Sequence, residues 1–345
     1  MAYTTINKSS DYFNTKLYTG NGGTQSLTGV TFQPDWVWVK ERGGANSHML
    51  CDVVRGVTKI LFSNLANAQD TDANSITAFG SDGFSVGSSG NVNASGDTYV
   101  GWNWKAGGTA SSNTDGTITS SVSASTTAGF SIVSWTGTGA NATVGHGLGS
   151  VPKMIMVKNR ASAENWIVGH TSIDWTKYLS LNTTDVTSTA SNIWQDTTPT
   201  SSVFSIGASG KVNGSSNEMI AYCFADVKGF SKFGKYVGNG NADGTFVYTG
   251  FKPSFVLMKN TADSGANWQM FDNKRDVSNV ANHRLFPNAD SSESTDANNN
   301  INFLSNGFKM KTSNGDNNAN GSTFIYMAFS EAPLVGTNNV PATAR

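Results

Sequence analysis

Pro34-Asp-Trp-Val-Trp-Val-Lys40 recurs twice in altered form, as Pro152-Lys-Met-Ile-Met-Val-Lys158 and as Pro253-Ser-Phe-Val-Leu-Met-Lys259. In each copy a proline opens a run of apolar, β-branched and aromatic residues and a lysine closes it, which suits a buried strand entered from a turn. The likeness extends outward from that strand, as a true repeat requires. Upstream stand Tyr18-Thr-Gly20, Trp135-Thr-Gly137 and Tyr236-Val-Gly238. Downstream, Asn165-Trp166 and Asn267-Trp268 match each other, with Ser47-His48 as the divergent first copy. Asn93, Asn213 and Asn318 each begin a small polar turn, and the last strand of each copy runs to Trp104, Phe224 and Phe329.

The copies lie about 100 to 120 residues apart in a chain of 345, so the spacing predicts three units, each large enough to bury a core. Short apolar runs separated by Gly, Asn and Asp clusters, with no sustained helical periodicity, predict an all-β fold. The expectation is three tandem antiparallel β-sandwich units, jelly-roll-like. The divisions expected are an N-terminal arm over 1–12, units over 13–108, 130–229 and 230–334, a Gly/Ser/Thr-rich connection over 109–129, and a tail over 335–345. The arm is expected to pair with a neighbouring chain or to fray. Thr117-Ile-Thr-Ser-Ser-Val-Ser123, inside the connection, reads equally well as linker or as solvent-facing strand. The connection leaves slack between units one and two, whereas units two and three should pack closely.

Charged residues make up 14% and the net charge is −1, so nothing here marks a nucleic-acid or membrane-surface partner. There is no apolar run of membrane-spanning length and no visible export signal, and synthesis in a reducing cytosol fits. Cys51 and Cys223 occupy non-equivalent positions, which reads as two buried thiols and not a disulfide.

Asp52 with Arg55 and Asp272 with Arg275 stand at equivalent places, while unit two has His170 and Ile173 there. A structural ion pair explains them better than a reaction centre lost from one unit. His48, His146, His170 and His283 lack zinc spacing, and the acidic clusters Asp70-Thr-Asp72 and Asp290 to Asp296 lack the pattern of a calcium loop. They read as solvated loops. Neither paired catalytic carboxylates, a nucleophile elbow nor a phosphate loop is present, so no catalytic, cofactor or metal residue is assigned.

Nine tryptophans remain. Trp36 and Trp38 share one strand face, yet Met154, Met156, Phe255 and Leu257 take their places in the other copies, and interchangeable large apolar residues mean core. Trp175 and Trp194 have no such counterparts and lie near polar loops, which makes them the candidates for a surface contact with a glycan.

Seven motifs resemble a family of marine bacteriophage proteins built from this three-copy domain and described as a domain of unknown function in structural or tail-fibre-like proteins. They are Gly29-Val-Thr-Phe-Gln-Pro-Asp-Trp-Val-Trp-Val-Lys40, Asp52-Val-Val-Arg-Gly56, Gly80-Ser-Asp-Gly-Phe84, Trp102-Asn-Trp-Lys-Ala-Gly-Gly108, Gly145-His-Gly-Leu-Gly149, Gly229-Phe-Ser-Lys-Phe233 and Phe271-Asp-Asn-Lys-Arg-Asp276. The resemblance spans about residues 13 to 334 and carries no catalytic residue. It implies a non-enzymatic virion protein whose partners are other capsid or tail proteins. The role expected is a tail fibre, appendage or knob touching a host surface glycan, with capsid decoration or a carbohydrate-binding or polysaccharide-degrading role as alternatives. A homo-oligomer is expected, with a trimer preferred by analogy to phage fibres.

Overall fold

The strand Trp36–Glu41 is buried along its whole length, and so are its counterparts Met154–Asn159 and Phe255–Asn260. The computed structural model describes residues 4–330. A strand apolar at nearly every position belongs in the middle of a layered structure, where both faces are covered. Each of the three sits there, paired antiparallel on both sides. Trp36–Glu41 lies between Thr98–Trp104 and Met49–Asp52, Met154–Asn159 between Glu218–Phe224 and Ile167–His170, and Phe255–Asn260 between Thr323–Phe329 and Gln269–Asp272.

A smaller antiparallel sheet packs outside each of these sheets. Gln25–Thr28, Gly83–Val86 and Ile76–Gly80 form the first, Ala142–Gly145 and Val203–Ile206 the second, and Phe246–Tyr248, Gly307–Met310 and Ile301–Leu304 the third. The described helices are single turns such as Gly90–Asn93 and Ser191–Trp194, so the chain is all-β with antiparallel, sandwich-like sheets, as its sequence predicts.

Period-two alternation sends the two faces of each central strand into different cores. Val37 and Val39 enter one core with Leu27 and Phe84, Ile155 and Val157 another with Val144 and Phe204, and Val256 and Met258 a third with Val247 and Phe308. The alternate residues Trp36, Trp38, Met154, Met156, Phe255 and Leu257 all enter one shared core. There Trp36 stacks on Tyr222 at 4.3 Å between ring centroids, Phe13 lies 5.5 Å from Phe255, and Phe224 lies 6.1 Å from Phe329. The three larger sheets therefore cover one another around a common aromatic centre.

That centre corrects two expectations. Units one and two have no slack, since Trp36 packs directly on Phe130 and Tyr222 of the second unit. The Thr-rich stretch is a strand, Ser120–Ser125, which pairs with Phe130–Thr136 and belongs to the second unit's sheet. The described residues of the N-terminal arm, expected to pair with a neighbouring chain or to fray, pack on this chain itself. Ile6 enters the shared core at 2% exposure, and the Thr4 hydroxyl donates to the Lys228 carbonyl at 2.5 Å. The tail over 335–345 lies outside the described residues.

The repeated glycine and asparagine have a common explanation. Asn213 is fully buried; its Oδ1 accepts from the Thr138 amide and its Nδ2 donates to the Ala140 carbonyl, stitching the hairpin turn to the short helix Gly210–Asn213. Asn93 and Asn318 do the same for Asn21–Gly23 and Asn239–Asn241. This draws the two segments so close that a Cβ at Gly20, Gly137 or Gly238 would collide with the carbonyl of Ala94, Gly214 or Ala319.

Candidate functional site

The sequence pointed to Asp52 and Asp272 as the most chemistry-like acids, and both lie on seams between units. Asp52 is fully buried; its Oδ1 accepts from the amides of Val54 and Arg55, and its Oδ2 accepts from Arg55 Nε at 2.5 Å and from the Tyr222 hydroxyl at 2.8 Å. Asp272 repeats this, with Arg275 Nε at 2.6 Å and Trp102 Nε1 at 3.0 Å. Tyr222 belongs to the second unit and Trp102 to the first, so each carboxylate ties its own unit to a neighbour.

Four donors saturate each carboxylate, which leaves no lone pair for acid–base work. The third seam shows the same logic by substitution. The strand position of Trp102 and Tyr222 is held in the third unit by Met327, which has no polar hydrogen to donate. The facing residue there is His170, whose Nε2 meets the Tyr326 carbonyl at 3.3 Å and whose pKa burial pushes down to about 4. A buried carboxylate with no donor opposite it would be costly, and none is present.

Indole pegs reinforce the seams. Trp166 Nε1 donates to the Phe62 carbonyl at 2.8 Å, and Trp268 Nε1 donates to the Ser180 carbonyl at 2.9 Å. At the first-unit position His48 accepts from Trp38 Nε1 at 2.9 Å and faces the Phe286 carbonyl. The connections run from unit two to one, from three to two, and from one to three. Sequence reading missed the asparagines that orient these pegs, Asn64, Asn182 and Asn288, each accepting the peg residue's amide. Aligning the copies a few residues further would have exposed them. It also missed Glu293, inside the stretch read as a solvated loop, which binds Arg42 at 2.7 Å and Arg275 at 2.9 Å.

The three strand-closing lysines, Lys40, Lys158 and Lys259, are fully buried. Lys40 and Lys158 donate to main-chain carbonyls of the loop that follows each, those of Glu41 and Gly44 and of Asn159 and Ser162, whereas Lys259 donates to Ala266 in its own following loop and to Thr184 of the second unit. Burial pushes all three from the ordinary 10.5 down to about 8. Between those two values the unfolded chain holds protons that the folded chain has released, so stability should rise with pH from about 8 upward. Burial raises the phenols of Tyr18, Tyr222 and Tyr236 above their usual 10, so the unfolded state gains from their ionisation above that pH and stability should fall again. Thermal melts should therefore peak between pH 9 and 10; a monotonic decline from pH 7 to 10 would contradict neutral buried lysines.

Trp175 and Trp194, the expected surface contacts, are 3% and 1% exposed. They form a T-shaped pair, 5.4 Å between centroids, in the second unit's own core, because polar loops in sequence fold back over them. This corrects their assignment to a glycan-facing surface. Trp175 does help line an open cleft of about 540 Å3 at the seam of units two and three, together with Lys177, Thr187, Lys235, Thr261 and Thr323. Among the described residues no group of three or more His, Cys, Asp or Glu side chains gathers as a metal site, and no helix is long and apolar enough to cross a membrane. Residues 8–333 match a protein family described as a domain of unknown function (DUF7483). No curated protein matches the chain.

Proposed function

We propose that this chain, which belongs to the DUF7483 family, is a non-enzymatic structural protein of a bacteriophage particle, an appendage or knob that touches the host surface. The observation that carries this reading is the use made of its charged groups. The acids most suggestive of catalysis are saturated seam ties, and the buried lysines hold loops. What remains outside includes three outer sheets, which suit multivalent contact without chemistry. The phage assignment itself rests on the seven motifs quoted above.

Contact is also favoured by the third outer sheet, where Phe246 and Tyr248 are 45% and 64% exposed while Ser26, Thr28, Thr143 and Gly145 hold the matching positions elsewhere. Its partners would be other virion proteins. The expected homo-oligomer, with a trimer preferred, rests on analogy to phage fibres. Imaging of particles carrying a labelled copy tests the reading. Density at the tail or at one vertex is expected, and density spread evenly over the capsid lattice would favour decoration. Release of reducing ends from host polysaccharide by the purified chain would overturn the non-enzymatic assignment.

A further inference from the structure

The open cleft exists at one seam because a residue that plugs the other two is missing there. Two residues after the strand-closing lysine stand Arg42, Arg160 and Thr261. Their main-chain settings are the same: each amide donates across its own sheet, to Thr98, Glu218 and Thr323, and each carbonyl accepts from the neighbouring unit, from Glu293, Gln69 and Thr187. At two seams the guanidinium fills the gap. Arg160 reaches Gln69 Oε1 at 2.9 Å and Glu218 at 3.0 Å, and Arg42 reaches Glu293. At the third, Thr261 and its partners Thr187 and Thr323 are all threonines, and the space is left open.

We propose that this third seam binds an acidic sugar residue, a carboxylate-bearing pyranose, in place of the missing guanidinium. The Thr261 and Thr187 hydroxyls donate to the carbonyls of Thr323 at 2.8 Å and Thr261 at 3.4 Å, which leaves their oxygens as acceptors for a sugar hydroxyl, and the Thr323 hydroxyl supplies a donor. Lys177 from unit two and Lys235 from unit three line the same cleft, and neither has a hydrogen-bond or ion-pair partner among the described residues. The charged residues lining the cleft are these two lysines and Asp174, whose Oδ1 is occupied by the Trp175 amide at 2.6 Å, so one positive charge is in excess and an anion is favoured over a neutral sugar. The volume falls within the roughly 300–1,000 Å3 of small-ligand sites. The inference deepens the host-contact reading and rests on it for the source of the ligand.

The full chain is titrated by calorimetry with trigalacturonate, with 3′-sialyllactose and with neutral galactotriose. At least one acidic probe should bind about tenfold more tightly than the neutral one, and less tightly as salt rises. Thr261→Arg should restore the plug and weaken that binding by about tenfold or more with no loss of thermal stability, as the sister seams hold arginine at the same place. Lys177→Gln and Lys235→Gln, both at exposed side chains, should each weaken it several-fold whether or not the arginine variant folds. Wild-type binding to neither acid at millimolar concentration, or full affinity in the lysine variants, would overturn the site. Imaging that places the chain on the capsid lattice while acidic-sugar binding persists would instead remove the host-contact reading and leave the site standing.

Discussion

Asp52→Ala should destabilise the protein by about 3–5 kcal/mol, because it strands the Arg55 guanidinium in a site without solvent. Arg55 is fully buried on its side chain, and its remaining contacts are neutral: the carbonyls of Leu50 at 2.9 Å and Lys59 at 3.1 Å, and the Tyr222 hydroxyl at 3.3 Å. Carbonyl dipoles solvate a guanidinium less well than an ion partner does, and Tyr222 loses its acceptor at the same time. Adding Arg55→Ile to the same chain should recover part of the loss, since no charge is then stranded, although the carbonyls of Leu50 and Lys59 and the Tyr222 hydroxyl lose their partner; Ile173 holds this place in the second unit. Denaturant unfolding of the single and double variants measures both. Equal loss in the two would mean that the carboxylate, and not the stranded cation, dominates. The effect should be absent from Lys8 and Asp11, an exposed pair at 2.6 Å whose removal costs at most about 1 kcal/mol.

Trp36→Ala should cost about 3–5 kcal/mol and lower the melting of the whole chain. The indole is fully buried and touches rings of two units, Trp104 at 4.4 Å in its own and Tyr222 and Phe130 at 4.3 and 5.7 Å in the next. Its removal opens a cavity bounded by rigid sheets, which collapse poorly, and it weakens a seam along with a core. Val37, one residue away, faces the first unit's separate core, so Val37→Ala should cost less and leave the seam intact. Calorimetry distinguishes the outcomes: a separate early transition for Trp36→Ala, with the remainder melting as in the wild type, would show that the shared core does not couple the units.

The strand class, the antiparallel sandwich-like layering and the identity of the central strands were legible in the sequence. Proline entry, β-branched and aromatic runs and Gly/Asn turns act locally, over a few residues, and Tyr18-Thr-Gly20 and its relatives carry their own steric reason in the backbone crowding at Gly20. Alternation also told that Trp36 and Val37 face opposite ways. It could not tell that Trp36 faces another unit, because period two specifies a face and says nothing about what covers it. Trp175 and Trp194 were misplaced for a similar reason, since polar neighbours in sequence do not make a residue exposed when the loop folds over it.

The seams were decided by tertiary structure alone. Arg42 and Glu293 stand 251 positions apart, and Asp52 and Tyr222 stand 170 apart, separations across which no spacing rule operates. The cleft is a matter of tertiary structure in the same sense. Thr261 reads as an ordinary loop threonine until the fold sets it beside Thr187 and Thr323 at the place where Arg42 and Arg160 close the other two seams. The repeat shows threonine where the other two copies have arginine, and that difference becomes a site only when folding brings its walls together.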